Sequence, residues 1–201
     1  MKSTVSIVLL LLLSMQCGSQ HKPEKRMGYT KLIPEEERVI IHEDTAIFAG
    51  GCFWGVEHYL QKAPGVHSVI SGYIDGHSEN PTYEEVCSGT SGHYEAVQVR
   101  FDPAQISFKQ LTKLFFEIHD PTQWNRQGHD VGEQYRSAVF YLNEEQKVIT
   151  ERLINILTQK GYKIVTEVKP ATTFWPAETY HQNYYEQKGS TPYCHRYTKR
   201  F

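Results

Sequence analysis

The stretch that most constrains this chain is Ala46-Ile47-Phe48-Ala49-Gly50-Gly51-Cys52-Phe53-Trp54-Gly55-Val56-Glu57. Its first residues read as a short buried strand, two glycines stop it, and residues 53–61 read as a helix ended by Pro64-Gly65. Such a segment must run strand, sharp turn, helix, with Cys52 at or just before the first helical turn. Backbone N–H groups there carry partial positive charge and favour a thiolate over a thiol. A helix terminus is worth ~0.3–2 kcal/mol and a pKa unit ~1.4 kcal/mol, so the dipole alone lowers a thiol by about one unit. Cys52 is therefore expected to be activated, with a partner or the substrate supplying the remainder. The alternative is a buried cysteine used as a small hydrophobe.

The elements that follow suggest a mixed architecture. Residues 66–74 and 94–101 alternate as strands, and Thr82 is placed to cap a short helix through Val86. Ser107 caps a helix whose apolar positions Phe108, Leu111, Leu114, Phe115 and Ile118 fall at helical spacing. A polar loop rich in Gly, Asn and Asp spans 119–133, a strand 135–142, an Asn143-capped helix runs to about Lys160, and a strand covers 162–168. Residues 169–201 are polar and aromatic with little period, and are expected to wrap the domain as coil with a short helix near 178–185. This order predicts an α+β fold: a two-layer sandwich with a central mixed sheet, packed helices and a long coil-rich C-terminal tail.

Ahead of that domain, placed at 44–201, Lys2 precedes an apolar run at 8–13, too short for the ~20 residues that span a bilayer. Residues 1–17 read as an export signal, with Cys17 where a lipoprotein would be acylated, and 18–43 as a polar tether. The protein is thus expected in the cell envelope or periplasm, as a monomer, with Cys17 as its membrane tether if acylated. Acidic and basic residues number 23 and 21, which gives no basic stripe for nucleic acid. If Cys17 is processed or acylated, Cys52, Cys87 and Cys194 remain, an odd set that leaves a free thiol in an oxidising compartment.

Glu95 lies mid-strand among apolar neighbours. Taken alone, a strand glutamate faces solvent; buried, its pKa would rise and make it a general acid at neutral pH. His93-Tyr94-Glu95 has the His-x-Glu form of zinc deaminases, but the Pro-Cys-x-x-Cys that must complete that site is missing. No metal site and no cofactor are expected.

Gly51-Cys52-Phe53-Trp54-Gly55, the run 80–89, Gly92-His93-Tyr94-Glu95-Ala96-Val97, His119-Asp120-Pro121-Thr122 and the run 125–137 together resemble the peptide methionine sulfoxide reductase A family, in the same order over about 45–197. The resemblance implies a ferredoxin-like core with the cysteine on the first helix. It implies that Cys52 attacks the sulfoxide sulfur and that Phe53 and Trp54 form a cup for the S-methyl group. Glu95 would protonate the sulfoxide oxygen, Tyr83 and Tyr135 would hold that oxygen, and Asp130 would be a polar member of the substrate site. Cys194 stands where many members carry a resolving thiol, and Cys87 where a non-catalytic cysteine is often found. The implied activity is reduction of the S epimer of methionine sulfoxide, free or in oxidised proteins, through a sulfenic acid and a disulfide reduced by a thioredoxin-like partner. Three other readings compete: an amidase, which needs a base beside the thiol; a thiol peroxidase, which needs no aromatic cup; and an envelope module binding metal through its ten histidines.

Overall fold

A computed structural model describes residues 42–201. The expected signal at 1–17 and all but the last two residues of the expected tether lie outside the described residues. In chain order, β1 (Asp44–Gly50) runs into α1 (Phe53–Leu60), then β2 (Val66–Ile74), α2 (Tyr83–Cys87), β3 (Tyr94–Phe101) and α3 (Phe108–Ile118). The two-residue strands β4 (Arg126–Gln127) and β5 (Asp130–Val131) follow, then β6 (Ser137–Tyr141), α4 (Glu144–Gln159), β7 (Glu167–Pro170), β8 (Phe174–Pro176) and α5 (Tyr184–Lys188).

The large sheet has the order β7-β6-β1-β3-β2-β8. β1 pairs antiparallel with β3 and β6, β2 pairs antiparallel with β3 and β8, and β6 with β7 is parallel. The fold is α+β with a central mixed sheet. β1 can lie inside it because both its faces are apolar: Ala46 and Phe48 join one core, Ile47 and Ala49 the other. The larger core sits under α1, α3 and α4, where Val56, Leu60, Leu111, Phe115, Leu153 and Leu157 meet Phe48, Val97, Val99 and Phe101. The three helix caps follow the sequence: Thr82 accepts from Glu85 N (3.3 Å), Ser107 from Gln110 N (3.3 Å) and Asn143 from Gln146 N (2.9 Å).

The second half departs from expectation in four places. The 119–133 loop contains the β4–β5 hairpin. Tyr135 lies in a 3-10 turn, Glu133–Tyr135, ahead of β6. That turn is held by Arg136, which donates to Glu133 O (2.7 Å) and Gly92 O (2.8 Å) and stacks 3.7 Å over the Tyr94 ring. The strand expected at 162–168 begins only at Glu167, because Tyr162 N still bonds Leu157 O (3.1 Å) and Val165 N bonds Pro121 O (2.9 Å) instead of the sheet.

The tail is the fourth departure. Expected to wrap the domain as coil with a short helix near 178–185, it has a 3-10 turn at Thr179–His181 and α5, but it also adds β8 to the edge of β2, and the Gln182 amide brackets Ser71 N and O at 2.9 Å each. Beyond Cys194, Arg196 N donates to Ile118 O (3.2 Å) and Thr198 N to Glu117 O (2.7 Å). The Glu117 carboxylate accepts from Arg200 N (3.0 Å) and Phe201 N (3.2 Å). These are polar attachments, backbone to backbone and side chain to backbone, which leave no hydrophobic period for a sequence reading to find. Glu117→Ala removes a charged acceptor from two backbone donors and is expected to cost ~1.5–3 kcal/mol in urea unfolding. Carboxypeptidase should then trim Phe201 from the variant faster than from the parent; equal trimming would show that the strap is held elsewhere.

Candidate active site

Cys52 occupies the N-cap of α1 and is 6% exposed. The corner that delivers it is crowded. A β carbon on Gly50 would lie 2.7 Å from the Phe115 ring, and one on Gly51 would collide with the Gln127 side chain. Gly51 also has φ +87°, which costs a non-glycine residue conformational energy. One turn on, a β carbon at Gly55 would lie 2.7 Å from Cγ of His195 and closer still to its Nδ1. The glycines of the motif therefore admit three side chains from distant segments to the corner.

The sulfurs of Cys52 and Cys194 and a carboxylate oxygen of Asp130 all lie within 4.8 Å of one another. Asp130 Oδ1 accepts from the Tyr193 hydroxyl at 2.8 Å, while Oδ2 is buried without a hydrogen-bond partner. These donors are spaced as metal ligands would be, but structural zinc sites take four, and among the described residues no fourth His, Cys, Asp or Glu joins them. All three described cysteines are free thiols.

The expected lowering of the Cys52 pKa is reversed. Its S–H donates to Cys194, which raises it most, and burial and the charge of Glu95 raise it further; the Trp54 N–H acts the other way and is outweighed. Cys194 is the thiolate of the pair. The hydrogen bond from Cys52 pushes it down to about 6, against burial, and His195 beside it works in the same direction. The helix-terminus effect exists, but at ~0.3–2 kcal/mol it loses to burial and to a neighbouring thiolate.

Glu95 is 1% exposed, which overturns the solvent-facing alternative. Its Oε2 accepts from Phe53 N at 3.1 Å, at the start of α1. Burial pushes its pKa up to about 8, the Phe53 N–H pulls it down, and Asp130 and Cys194 raise it again. At pH 7 the carboxyl is thus mostly protonated. Phe53 N–H holds one oxygen as an acceptor, which leaves the other to present the proton.

Tyr83 and Tyr135 are both raised above the ordinary phenol range, first by burial. Tyr83 also hydrogen-bonds Cys87, and the charges of Glu95 and Cys52 act on both rings, so both remain O–H donors beside those groups. Phe53 is buried, with its ring centroid 5.8 Å from Tyr73 and 5.1 Å from His181. Trp54 stacks 3.7 Å above Tyr184 and donates Nε1–H to His181 Nδ1 at 3.1 Å.

All eight residues singled out in the sequence thus converge on one place. Three that position them were not. Glu178 caps α2 by accepting from Tyr83 N (2.9 Å) and also accepts from the Tyr73 hydroxyl (2.9 Å). His181 backs the aromatic wall, 4.4 Å from the Tyr83 ring. His195 is 3% exposed and approaches Cys194 Sγ with Nδ1 at 3.1 Å. Its place directly after Cys194 is the signal for it in the sequence.

A sequence model of the peptide methionine sulfoxide reductase family matches residues 44–201. The peptide methionine sulfoxide reductase MsrA of Acinetobacter baumannii (strain AYE) is 52% identical over 149 residues, 74% of this chain and 86% of that protein. Among solved structures, reduced Mxr1 of Saccharomyces cerevisiae is similar with a TM-score of 0.73 and 33% identity, over 77% of this chain and 92% of that one. Mxr1 in complex with Trx2 is similar with a TM-score of 0.53 and 26% identity, over 77% and 89% of the respective chains.

The thiol pair yields a direct test. Alkylation of the reduced protein at pH 7, followed by peptide mapping, should label Cys194 before Cys52. Cys194→Ala, which removes the largest cause of the raised Cys52 pKa, should quicken labelling of Cys52 at the same pH. Labelling of Cys52 first in the parent protein would reverse this assignment.

Proposed function

The chain belongs to the peptide methionine sulfoxide reductase A family, and on that premise we propose that it reduces the S epimer of methionine sulfoxide, free or in oxidised proteins, with Cys52 as the attacking thiol. The observation that carries the assignment of roles is Glu95: a fully buried carboxyl, pushed up to about 8 and fixed 3.1 Å from Phe53 N at the start of the helix that Cys52 caps. A sulfoxide sulfur resists a nucleophile until its oxygen is stabilised, because negative charge already resides there. The substrate's methyl group lies against Phe53 and Trp54, and its oxygen toward Glu95, Tyr83 and Tyr135, three O–H donors arranged like an oxyanion hole. Asp130 completes the polar side of the site.

Cys52 passes its proton along its hydrogen bond to the Cys194 thiolate, and its sulfur attacks the sulfoxide sulfur. Glu95 gives its proton to the oxygen, the hydroxyl passes from the substrate sulfur to the Cys52 sulfur as the substrate S–O bond and the transient S–S bond break, and methionine leaves with Cys52 as a sulfenic acid. The sulfide sulfur is reduced and Cys52 is oxidised by the same two electrons. Cys194 then displaces the hydroxyl to form a disulfide. A thioredoxin-like dithiol returns both thiols, a reading supported by the likeness to Mxr1, a protein seen in complex with Trx2.

The same proposal includes a ferredoxin-like core, supported by the order β6-β1-β3-β2 and the connections β1-α1-β2 and β3-α3-β6. It treats residues 44–201 as the reductase domain, monomeric, with a C-terminal strap carrying the resolving cysteine. It places the protein in the cell envelope, exported by residues 1–17 and tethered through Cys17 when that residue is acylated, on the sequence pattern there.

Cys52→Ser is expected to abolish turnover of a methionine S-sulfoxide peptide with dithiothreitol, whereas Cys87→Ser should retain it; activity in the Cys52 variant would remove the central assignment. Glu95 sets the pH dependence. Its acid form is the working form and the Cys194 thiolate must be present to take the Cys52 proton, so the single-turnover rate should be highest between about pH 6 and 8 and fall as pH rises through about 8. Glu95→Gln should be slower by ~10²–10⁴-fold at pH 7 and should lack that alkaline fall. An unchanged rate would leave the two phenols as the whole of the oxygen site.

A further inference from the structure

We propose that His195 is the base that deprotonates Cys194 when the disulfide forms, an inference that rests on the function just assigned. His195 Nε2 lies 2.7 Å from Gly50 O, and a carbonyl oxygen only accepts. Nε2 must therefore carry a hydrogen whatever the charge of the ring, and Nδ1, facing Cys194 Sγ at 3.1 Å, is the nitrogen that can accept or return the Cys194 proton. The tautomer is fixed by the same strand end that leads into the cysteine corner. The ring lies on the α1 backbone at Gly55, where any β carbon would displace it. A histidine that merely filled the core would not need its free nitrogen directed at a thiol.

A base is needed at this step. Once Cys52 has handed its proton to Cys194, the resolving sulfur is a thiol, and a thiol is a poor nucleophile. The step balances without an outside oxidant. The Cys194 proton moves to His195 Nδ1, the sulfur attacks the Cys52 sulfenic sulfur, an S–S bond forms and the S–OH bond breaks. The hydroxyl leaves as water, taking up in net one proton equal to the one His195 received. Cys194 is oxidised and Cys52 reduced by the same electron pair.

The titratable groups that face His195 are Cys52 at the start of α1, Tyr59 on α1, whose hydroxyl is 3.5 Å from His195 O, His119 after α3, Asp130 on β5 and Cys194 itself. His119 does not compete for the proton. Burial pushes it down to about 3, and it is engaged by Phe115 O (2.6 Å) and the Ser137 hydroxyl (2.8 Å).

The test uses the full chain, reduced, mixed with one equivalent of methionine S-sulfoxide and no reductant, from pH 5 to 9. Methionine release and Cys52–Cys194 disulfide are followed separately. His195→Ala and His195→Gln should each still release one equivalent of methionine. Disulfide formation should fall ~10²–10⁴-fold at pH 7. In both variants it should rise about tenfold per pH unit, as free thiolate becomes available, whereas the parent rate should depend less steeply on pH. Added imidazole should restore the rate in His195→Ala; Gln keeps a donor for Gly50 O, so it carries the test if the Ala variant does not fold. Parental disulfide rates in the variants, or a slowing that is the same at every pH and indifferent to imidazole, would overturn the proposal. Absence of methionine from the parent would instead overturn the assigned function, and the proposal with it.

Discussion

The corner between β1 and α1 works because its backbone is bare on the sides from which other segments arrive. Phe115 presses on Gly50, Gln127 on Gly51 and His195 on Gly55, each within a distance that a β carbon would forbid. Cys52 is thereby fixed against α3, against the β4–β5 hairpin that carries Asp130, and against the strap that carries Cys194. Each supporting segment is itself tied down: Gln127 brackets Asp120 by N–H and carbonyl (3.1 and 3.3 Å), and His119 joins Phe115 O to Ser137 and through it to Thr166. Three sequence-distant groups reach one sulfur without a long flexible loop, which is the condition for preorganised chemistry.

Charge follows from the same crowding. Glu95, Asp130 and two thiols share a buried space, and each negative charge there raises the cost of the next. The site responds by keeping protons. Glu95 holds one to about pH 8, Cys52 holds another, and both phenols hold theirs. The helix start contributes Phe53 N–H to the carboxylate and Trp54 N–H to the thiol, dividing one modest effect between two groups. An acid and a latent nucleophile therefore stand side by side in the resting protein, with Cys194 hydrogen-bonded to the thiol and placed to take its proton.

Much of this was legible. The strand–Gly-Gly–cysteine–helix segment and the three capped helices follow from local rules that the tertiary structure leaves intact. The burial of Glu95 was also written in the sequence, in the phase of β3: Glu95, Val97, Val99 and Phe101 alternate on one face, and the last three are core. Reading Glu95 alone discarded that phase. The tail was not legible, because Gln182, Glu178 and Glu117 hold it by polar contacts whose partners lie far away in the chain. The reversed Cys52 pKa was equally hidden. It depends on Cys194 lying within 4.8 Å, a separation set by the strap rather than by the cysteine's own helix.

That separation also bears on survival of the catalyst. A sulfenic acid has two fates: condensation with a thiol, which is reversible, or further oxidation to sulfinic acid, which in general is not. The choice is a race between an intramolecular partner and a diffusing oxidant. With Cys194 already in place and held on both sides, by Asp130 through Tyr193 and by α3 through Arg196 and Thr198, the first runner has almost no distance to cover. The catalyst is in this way shielded by the brevity of its own intermediate's life.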